Sequence, residues 1–341
     1  MADPVAKRLL VLNAGSSTLK YAFYVADTLA CLKREKLDIT DGDYLGAIET
    51  ILGNAENLAA VGHRVVHGGE EFHDPVLVTQ DIYHKLEALI PLAPLHQPHN
   101  LKAIDTVIQA YPDLPQIACF DTAFHRSQPR VNQLYALPSD LSEQGIIRYG
   151  FHGLSYEYIA SILPEHSDKA DGKVIVLHLG SGASACAMLN RQSVSSTMGF
   201  TALEGLMMST RCGTIDPGVI LYLQQEKGMP LADIEALLYK QSGLLGVSGI
   251  SADSRDLVGH ADPKAQMAID LFCHYAVRAI GQLAAELQGL DVLVFTAGIG
   301  ENQPEIRDRI TQAVSWLNPE IHVIPTNEEY IIAAHSKAVI E

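Results

Sequence analysis

The sequence lacks the features that mark membrane proteins and secreted proteins. Its 341 residues contain no uninterrupted apolar run that approaches the ~18–20 residues of a membrane-spanning helix. Residues 1–5 show no cationic start followed by an apolar core and a small-residue cleavage site, as a secretion signal would. These absences predict a cytoplasmic protein that has no membrane partner.

Cysteines are few, and each stands alone. Their number is odd and none belongs to a C-x-x-C pair; they are Cys31, Cys119, Cys186, Cys212 and Cys273. A disulfide framework usually shows an even number of cysteines, and a structural zinc site shows closely spaced ligands. The pattern therefore predicts reduced thiols and neither kind of site.

Basic residues are also scarce. The chain has 24 lysines and arginines against 40 aspartates and glutamates, so its formal net charge is −16. Such a protein repels nucleic acid and anionic lipid unless it carries a local basic patch, and the sequence shows no such patch. We therefore expect no nucleic-acid partner. If the substrate is an anion, the few arginines should lie where it binds.

The chain does contain alternating strand and helix patterns. Apolar or alternating runs predict strands at residues 8–12, 21–25, 59–66, 116–119, 173–179, 183–189 and 291–296. Helical spacing predicts helices at residues 81–92, 98–110, 216–225 and 263–287. This alternation indicates an α/β fold. Because 341 residues are more than one hydrophobic core usually supports, we expect two lobes.

Two segments repeat one local pattern. Residues 12–16 and 177–181 both read Leu-x-x-Gly-Ser, and each segment ends an apolar run and precedes an alternating one. The repeat predicts two strand-turn-strand loops, whose small residues let backbone N–H groups approach phosphate oxygens. A pair of ordinary β-turns is the alternative interpretation.

Neither loop matches a common nucleotide-binding motif. Residues 15–20 do not form a P-loop, and no G-x-G-x-x-G follows a predicted strand and opens a helix. Lys20 falls on the strand that returns from the first loop, where its ammonium group could reach a bound phosphate. A solvated lysine on the strand surface is the alternative.

Eight sequence blocks carry a more specific signal. One contains Asn13-Ala14-Gly15-Ser16-Ser17, and the full set lies at residues 11–20, 61–69, 120–125, 148–153, 199–208, 210–213, 297–302 and 325–329. In this order the blocks resemble the signatures of the acetate kinase family. The resemblance runs from about residue 9 to about residue 335, and coincidence is not a serious competitor for eight ordered blocks.

The resemblance implies the duplicated α/β fold of actin, sugar kinases and the heat-shock chaperone ATPases, with two lobes around a nucleotide cleft. We place the N-terminal lobe at residues 1–122 plus 328–341 and the nucleotide-binding C-terminal lobe at residues 123–327. The family's reaction is a reversible, direct in-line transfer of a phosphoryl group from ATP to acetate, which gives acetyl phosphate and ADP. A homodimer and a Mg²⁺ or Mn²⁺ ion are also implied.

The resemblance also implies roles for individual residues. The implied catalytic residues are Arg64, Asp121, His152 and Arg211, and the implied metal contacts are Asn13 and Glu328. The acyl pocket falls on Val66, Leu95 and Ala202, beside the acetate-binding Arg64. The nucleotide contacts fall on Lys20, His178, Leu179, Gly180, Ser181, Gly182, Asp253, Ser254, Arg255, Gly298, Ile299, Gly300, Glu301 and Asn302.

These residue types suit phosphoryl transfer to a carboxylate. The transition state is loose and spreads charge over the equatorial oxygens, so alignment and positive charge dominate catalysis. Arginine presents a rigid fork to a carboxylate or a phosphate, although a structural ion pair is the alternative for Arg64. Because acetate is already ionised, we expect Asp121 to organise the metal or the arginines and not to accept a proton. His152 should donate a hydrogen bond to the phosphoryl group; a satisfied core histidine is the alternative.

Several features depart from the family pattern. Ala202 stands where proline is usual, which enlarges the expected acyl pocket and leaves propionate or butyrate open as acceptor. Ser181 replaces an asparagine and Ser254 replaces an aromatic residue, which leaves pyrophosphate open as donor. The chain is also contracted at residues 20–64 and 302–328, and we predict that this truncation is tolerated.

Two other function classes remain. A non-metabolic nucleotide switch of the actin type would share both phosphate loops, but it does not require Arg64 and Arg211 together with Asp121 and His152. A sugar or glycerol kinase would need a general base for a hydroxyl group and polar contacts for a polyol. We rank both below the carboxylate kinase.

Overall fold

A computed structural model describes residues 6–15, 18–39, 44–53, 55, 57–94 and 96–341. The chain forms two compact units. Unit 1 comprises Met1–Arg126, Gly153–Tyr158 and Asn327–Glu341, and unit 2 comprises Ser127–His152 and Ile159–Thr326. The lobe boundaries predicted from the sequence differ from these units chiefly at residues 153–158. These residues begin a helix and pack within unit 1.

Unit 1 contains a mixed six-stranded sheet in the order β3-β2-β1-β4-β6-β5. Its strands are β1 (Arg8–Ala14), β2 (Thr18–Val25), β3 (Cys31–Asp38), β4 (Leu58–Val65), β5 (Val76–Leu77) and β6 (Gln116–Phe120). The first three strands form an antiparallel meander, whereas β4 runs parallel to both β1 and β6. The short β5 pairs antiparallel with β6 at the edge of the sheet.

Unit 2 repeats this plan. Its strands are β7 (Val174–Leu179), β8 (Ala183–Leu189), β9 (Gln192–Ser196), β10 (Val292–Thr296) and β11 (Glu320–Val323), and their order is β11-β10-β7-β8-β9. The first three strands, β7 to β9, again form an antiparallel meander. Strand β10 then pairs parallel with β7, and β11 pairs parallel with β10. The sheets therefore share one topology, β1-β2-β3-β4-β6 corresponding to β7-β8-β9-β10-β11. The duplicated α/β fold predicted from the sequence is confirmed.

Helices connect and cover the strands. They are α1 (Tyr44–Gly53), α2 (Gln80–Ala88), α3 (Gln97–Ala110), α4 (Arg130–Gln133), α5 (Ser139–Glu143), α6 (Gly153–Ile162), α7 (Pro217–Gln225), α8 (Leu231–Lys240), α9 (Gly243–Ser248), α10 (Ser254–Leu257), α11 (Pro263–Leu287), α12 (Ala297–Asn302), α13 (Pro304–Ala313) and α14 (Glu328–Ile340). Helix α11 spans the predicted residues 263–287. The helix predicted at 81–92 instead ends at Ala88, and a 3₁₀ turn at Ile90–Leu92 follows it. Pro91 explains the change, because it lacks the N–H that a continuing helix needs.

The core of unit 1 explains why β1 reads as an uninterrupted apolar run. Successive side chains of a strand point to opposite faces, and here both faces are buried. Leu10 and Leu12 pack in one hydrophobic cluster with residues of α1 and α3. Leu9 and Val11 pack in a second cluster with residues of α14. The sheet is therefore the central layer of unit 1, and β1 is covered on both faces.

Helix α14 packs closely on β4 because a glycine leaves room for it. A Cβ atom at Gly62 would lie 2.3 Å from Ser336 Oγ and 2.7 Å from a side-chain carbon of Ile332. The helix starts at a defined point, since the Asn327 side chain accepts a hydrogen bond from the Tyr330 N–H. Glu328, the first residue of α14, is therefore held at a fixed position beside the sheet.

The two repeated sequence segments form β-hairpins, as predicted. The first connects β1 to β2, and the second connects β7 to β8. Ser16 and Ser17 of the first loop lie outside the described residues. In the second loop the Gly180 N–H donates to the Gly182 carbonyl, at an N–O distance of 3.0 Å.

A search of the described segments finds no helix that is long and apolar enough to cross a membrane.

Two buried histidines make the fold sensitive to acid. Burial lowers the pKa of His63 to about 4, against a smaller opposing effect of its hydrogen bond with Gln116. Burial, followed by the charge of Arg126, lowers the pKa of His67 to about 3. The His67 Nδ1 atom accepts a hydrogen bond from the Gly69 N–H at 2.9 Å, which requires that this nitrogen carry no proton.

Both histidines therefore have a lower pKa in the folded state than the ordinary value near 6.5, and unfolding below that pH takes up protons. We predict that these two histidines together lower the free energy of unfolding by about 4 kcal/mol between pH 7 and pH 5, about 2 kcal/mol for each histidine. Urea titrations of the wild type and of His63→Gln should show a shallower pH dependence in the variant. Equal slopes for the two proteins would contradict this origin.

Candidate active site

The predicted residues of unit 1 gather at one edge of its sheet. Asn13 lies near the end of β1, Arg64 near the end of β4, and Asp121 directly after β6. These three strands are parallel neighbours, so their carboxyl ends meet at the same edge. Glu328 joins them as the first residue of α14.

A bidentate ion pair holds Arg64 at this edge. Its Nε atom lies 3.0 and 3.1 Å from the two carboxylate oxygens of Asp121, and its Nη2 atom also contacts that carboxylate. Asp121 is 1% exposed, whereas the Arg64 side chain keeps 18% of its surface accessible. The Nη1 atom donates to Asn13 Oδ1 at 3.3 Å, and the Asn13 amide group donates to Glu328 Oε2 at 3.3 Å. One polar network thus connects all four residues.

The charges of this network do not cancel. Burial opposes the charge on Arg64, but Asp121, Glu328 and the neighbouring Glu329 outweigh it and raise the pKa of the guanidinium. Burial raises the pKa of Asp121 and Glu328 adds to this, while Arg64 opposes both effects by stabilising the carboxylate. Glu329 also pairs with Arg34, whose Nε atom lies 3.9 Å from its carboxylate. Three carboxylates therefore face two arginines, and the remaining negative charge favours a further cation at the site.

The remaining predicted residues of unit 1 are Lys20 on β2, Val66 directly after β4, and Leu95. Lys20 pairs with Asn13 across the first hairpin, and its side chain is exposed. Val66 is buried, and its N–H donates to Asn100 Oδ1 at 3.0 Å. Leu95 lies outside the described residues.

In unit 2, His152 contacts His178 and Ser184. Its ring stacks on the ring of His178 with centroids 4.1 Å apart and planes 15° apart. Its Nδ1 atom lies 2.8 Å from the hydroxyl oxygen of Ser184, a buried residue of β8. The backbone of His152 is left-handed, with φ of 59°, and such conformations of non-glycine residues concentrate at functional sites.

The second hairpin brings His152 and Arg211 to one point. A Cβ atom at Gly182 would lie 3.3 Å from His152 Nε2 and 3.9 Å from Arg211 Nη1. The same Nη1 atom donates to the carbonyl of Ala202, one of the residues predicted for the acyl pocket, at 2.8 Å. The His152 Nε2 and Arg211 Nη1 atoms therefore both lie close to the position that a side chain at residue 182 would take.

Beside this hairpin lies a cavity of about 670 Å³, within the usual range for small-ligand sites. Nine of its lining residues were predicted from the sequence: Gly180, Ser181, Arg211, Asp253, Ser254, Arg255, Gly298, Ile299 and Asn302. The other five nucleotide residues assigned to unit 2 do not line it; they are His178, Leu179, Gly182, Gly300 and Glu301. Glu301 instead accepts a hydrogen bond from the Thr326 N–H at 3.0 Å.

Asp253 and Arg255 form a second bidentate pair at the rim of this cavity. The Arg255 Nε atom lies 3.0 Å from both carboxylate oxygens, and its side chain is 76% exposed. These hydrogen bonds lower the pKa of Asp253. This pair resembles the pair of Arg64 and Asp121 in geometry but not in burial.

Three site residues were not predicted from the sequence. Ser184 contacts His152, while Tyr135 and Glu204 brace the loop that carries Ala202 and Arg211. Ser184 stands two residues after the second phosphate loop, which was a usable signal. Tyr135 lies far from the predicted blocks, and only the folded chain brings it to Glu204.

In the part of the chain that the structure describes, no group of three or more histidine, cysteine, aspartate or glutamate side chains is arranged to hold a metal ion.

Comparison with known proteins places the chain among its relatives. A model of the acetokinase family matches residues 43–324. A curated acetate kinase of Rhodopseudomonas palustris is 48% identical, over 96% of this chain and 97% of that protein. Their alignment spans 385 positions, more than the 341 residues present here, so this chain lacks internal residues that its relative has.

Two crystal structures are similar over almost their whole length. An acetate kinase of Porphyromonas gingivalis has a TM-score of 0.88 at 32% identity, with 98% of this chain and all of that chain covered. A propionate kinase of Francisella tularensis has a TM-score of 0.86 at 34% identity, with 96% of this chain and 98% of that chain covered.

We expect the two bidentate pairs to differ in how much they contribute to stability. Asp121→Asn leaves the buried Arg64 without its carboxylate, and we expect the free energy of unfolding to fall by about 3 kcal/mol. The matched variant Asp253→Asn changes an exposed pair and keeps a helix-capping side chain, so we expect no measurable change. Chemical denaturation of both variants measures the difference. Equal stabilities of the two variants would show that the pair of Arg64 and Asp121 contributes no more to stability than the exposed pair.

Proposed function

Because the chain belongs to the acetokinase family, we propose that it catalyses reversible phosphoryl transfer between ATP and acetate, giving acetyl phosphate and ADP. One observation carries the proposal beyond family membership. Arg64 is fixed by the buried Asp121 while its side chain keeps 18% of its surface accessible, as an anchor for a small carboxylate requires.

In this proposal Arg64 binds the acceptor. A guanidinium offers donors on two edges, and Asp121 engages the Nε and Nη2 edge. The carboxylate of acetate would be held through the rest of the group, with Val66 beside its methyl group. Asp121 then organises the arginine and does not act as a base, because an ionised acetate has no proton to remove.

Unit 2 supplies the groups for the phosphoryl side. Arg211 and His152 meet beside Gly182, where they would stabilise charge on the equatorial oxygens of the moving group. Ser184 holds the Nδ1 atom of His152, so we assign the Nε2 edge to the phosphoryl group. The backbone of the second hairpin and the adjoining cavity would bind the nucleotide.

A divalent metal fits the residues of unit 1. Carboxylate and amide oxygens suit Mg²⁺, which keeps most of its waters and needs few protein ligands. Glu328 and Asn13 provide such oxygens within an acidic surplus that a cation would balance. When bound, the metal would supply charge neutralisation for the phosphate oxygens. Family resemblance also supports a homodimer that works in the cytoplasm.

A second acceptor has support of its own. Ala202 replaces the usual proline, and one of the similar structures is a propionate kinase. Extra room in an apolar pocket changes preference by only about 1–3 kcal/mol per methylene, so propionate and butyrate belong in the same test. Ser181 and Ser254 at the cavity justify pyrophosphate as an alternative donor.

We predict that the purified protein with Mg²⁺ and ATP forms acetyl phosphate, which hydroxylamine traps as the hydroxamate. Acetate, propionate and butyrate are compared as acceptors, and pyrophosphate is compared with ATP as donor. Arg211→Ala should lower the rate by about 10³-fold or more, because it removes the positive charge from the transition state.

Arg191→Ala serves as the control, since this arginine pairs with Asp171 on the surface and does not line the cavity. It should keep the wild-type rate. No hydroxamate with any acid or donor would reject the carboxylate kinase and favour a nucleotide switch.

A further inference from the structure

The segment of residues 199–214, here called the arginine loop, carries both Ala202 and Arg211. The Arg211 Nη1 atom donates to the Ala202 carbonyl at 2.8 Å, so the direction of the guanidinium depends on the shape of the loop. The loop contains no regular helix or strand of its own. Something outside it must therefore fix its first half, where Ala202 lies.

Tyr135 contacts that half of the loop at two points. Its hydroxyl accepts a hydrogen bond from the Phe200 N–H at 2.8 Å and donates one to Glu204 Oε2 at 2.7 Å. These contacts lie on either side of Ala202, two residues away in each direction. The Tyr135 hydroxyl thus bridges the two ends of the turn that presents the Ala202 carbonyl to Arg211. Inside the turn, the Thr201 hydroxyl accepts hydrogen bonds from the Leu203 N–H and the Tyr239 hydroxyl, each at 3.3 Å.

Arg148 completes the arrangement. Its Nη1 atom lies 2.7 Å from Glu204 Oε1, and its guanidinium carbon lies 4.4 Å above the Tyr135 ring. Burial raises the pKa of Tyr135, and the hydrogen bond to Glu204 raises it further, so the hydroxyl keeps the proton that it donates. Both oxygens of Glu204 are therefore engaged, one by the tyrosine and one by the arginine.

The local backbone is built around this contact. A Cβ atom at Gly199 would lie 1.9 Å from Glu204 Oε2 and 2.2 Å from the Tyr135 hydroxyl, so only glycine leaves room for their hydrogen bond. The loop is closed again further on, where the Thr214 N–H donates to the Gly205 carbonyl and the Gly205 N–H donates to the Thr214 hydroxyl, each at 3.0 Å. Gly205 has a φ of +106°, which other residues rarely adopt.

We propose that Tyr135, together with Glu204 and Arg148, is a positioning group that holds the arginine loop so that Arg211 and Ala202 meet the substrates in the right geometry. The inference rests on the proposed function, in which Arg211 stabilises the transferred phosphoryl group. Tyr135 acts through the loop and is not itself a catalytic residue. Misplacement of a catalytic group by about 1 Å can lower the rate by about 10²-fold.

The test is Tyr135→Phe, which removes the hydroxyl but keeps the ring under Arg148. We expect kcat for acyl phosphate formation to fall by about 10-fold to 100-fold, with KM for ATP changed by less than about twofold. Tyr149→Phe is the matched control, because its hydroxyl bonds the Gly145 carbonyl outside the loop. It should retain wild-type kcat; an equal loss in both variants would overturn the proposal.

A double-mutant cycle separates positioning from a general structural effect. In an Arg211→Lys background, which lacks the Nη1 contact to Ala202, Tyr135→Phe should change kcat by less than about twofold. The same fold-loss in both backgrounds would show that Tyr135 does not act through Arg211, and no loss in the wild-type background would also overturn the proposal.

Hydrogen–deuterium exchange provides a readout that needs no activity. Tyr135→Phe should speed exchange in peptides from residues 199–211 and leave β7 and β8 unchanged, whereas unchanged exchange in 199–211 would reject the proposed restraint. If the wild type forms no acyl phosphate, the proposed function fails, and the exchange result still decides whether Tyr135 holds the loop.

Discussion

The buried ion pair between Arg64 and Asp121 is the constraint on which the acceptor half of the chemistry depends. An arginine that must bind a mobile carboxylate needs a partner that fixes it without consuming all of its donors. Asp121 meets this need because the parallel neighbours β4 and β6 end side by side. The close packing of α14 on Gly62 then brings Glu328 to the same edge. Charge, sheet topology and helix packing together thus place Arg64, Asp121 and Glu328 at one edge of the sheet.

The same sheet topology is used twice for different chemistry. In unit 1 the strand ends present an arginine with an excess of carboxylates, which suits an acid and a metal. In unit 2 the hairpin between β7 and β8 presents small residues beside His152 and Arg211, which suits phosphate. The chain has a net charge of −16, so the proposed roles of Arg64 and Arg211 put two of its 24 basic side chains where the proposal has anions bind.

Much of this could be predicted from the sequence, because strand periodicity and the repeated Leu-x-x-Gly-Ser pattern are local signals. The β1–β2 and β7–β8 hairpins followed directly from them. The network around Tyr135 did not, since its partner Glu204 is 69 residues away and no period or motif records the contact. The end of α2 was misplaced because apolar spacing continued past Pro91, where the missing N–H stops the helix.

The most direct test of the account is the acetate dependence of acetyl phosphate formation by Arg64→Lys at saturating ATP. Lysine keeps the charge but loses the rigid fork that engages Asp121 and the acceptor together. The account predicts that KM for acetate rises by at least about tenfold while KM for ATP changes by less than about twofold. A variant with the wild-type KM for acetate would contradict the assignment of Arg64 as the carboxylate anchor.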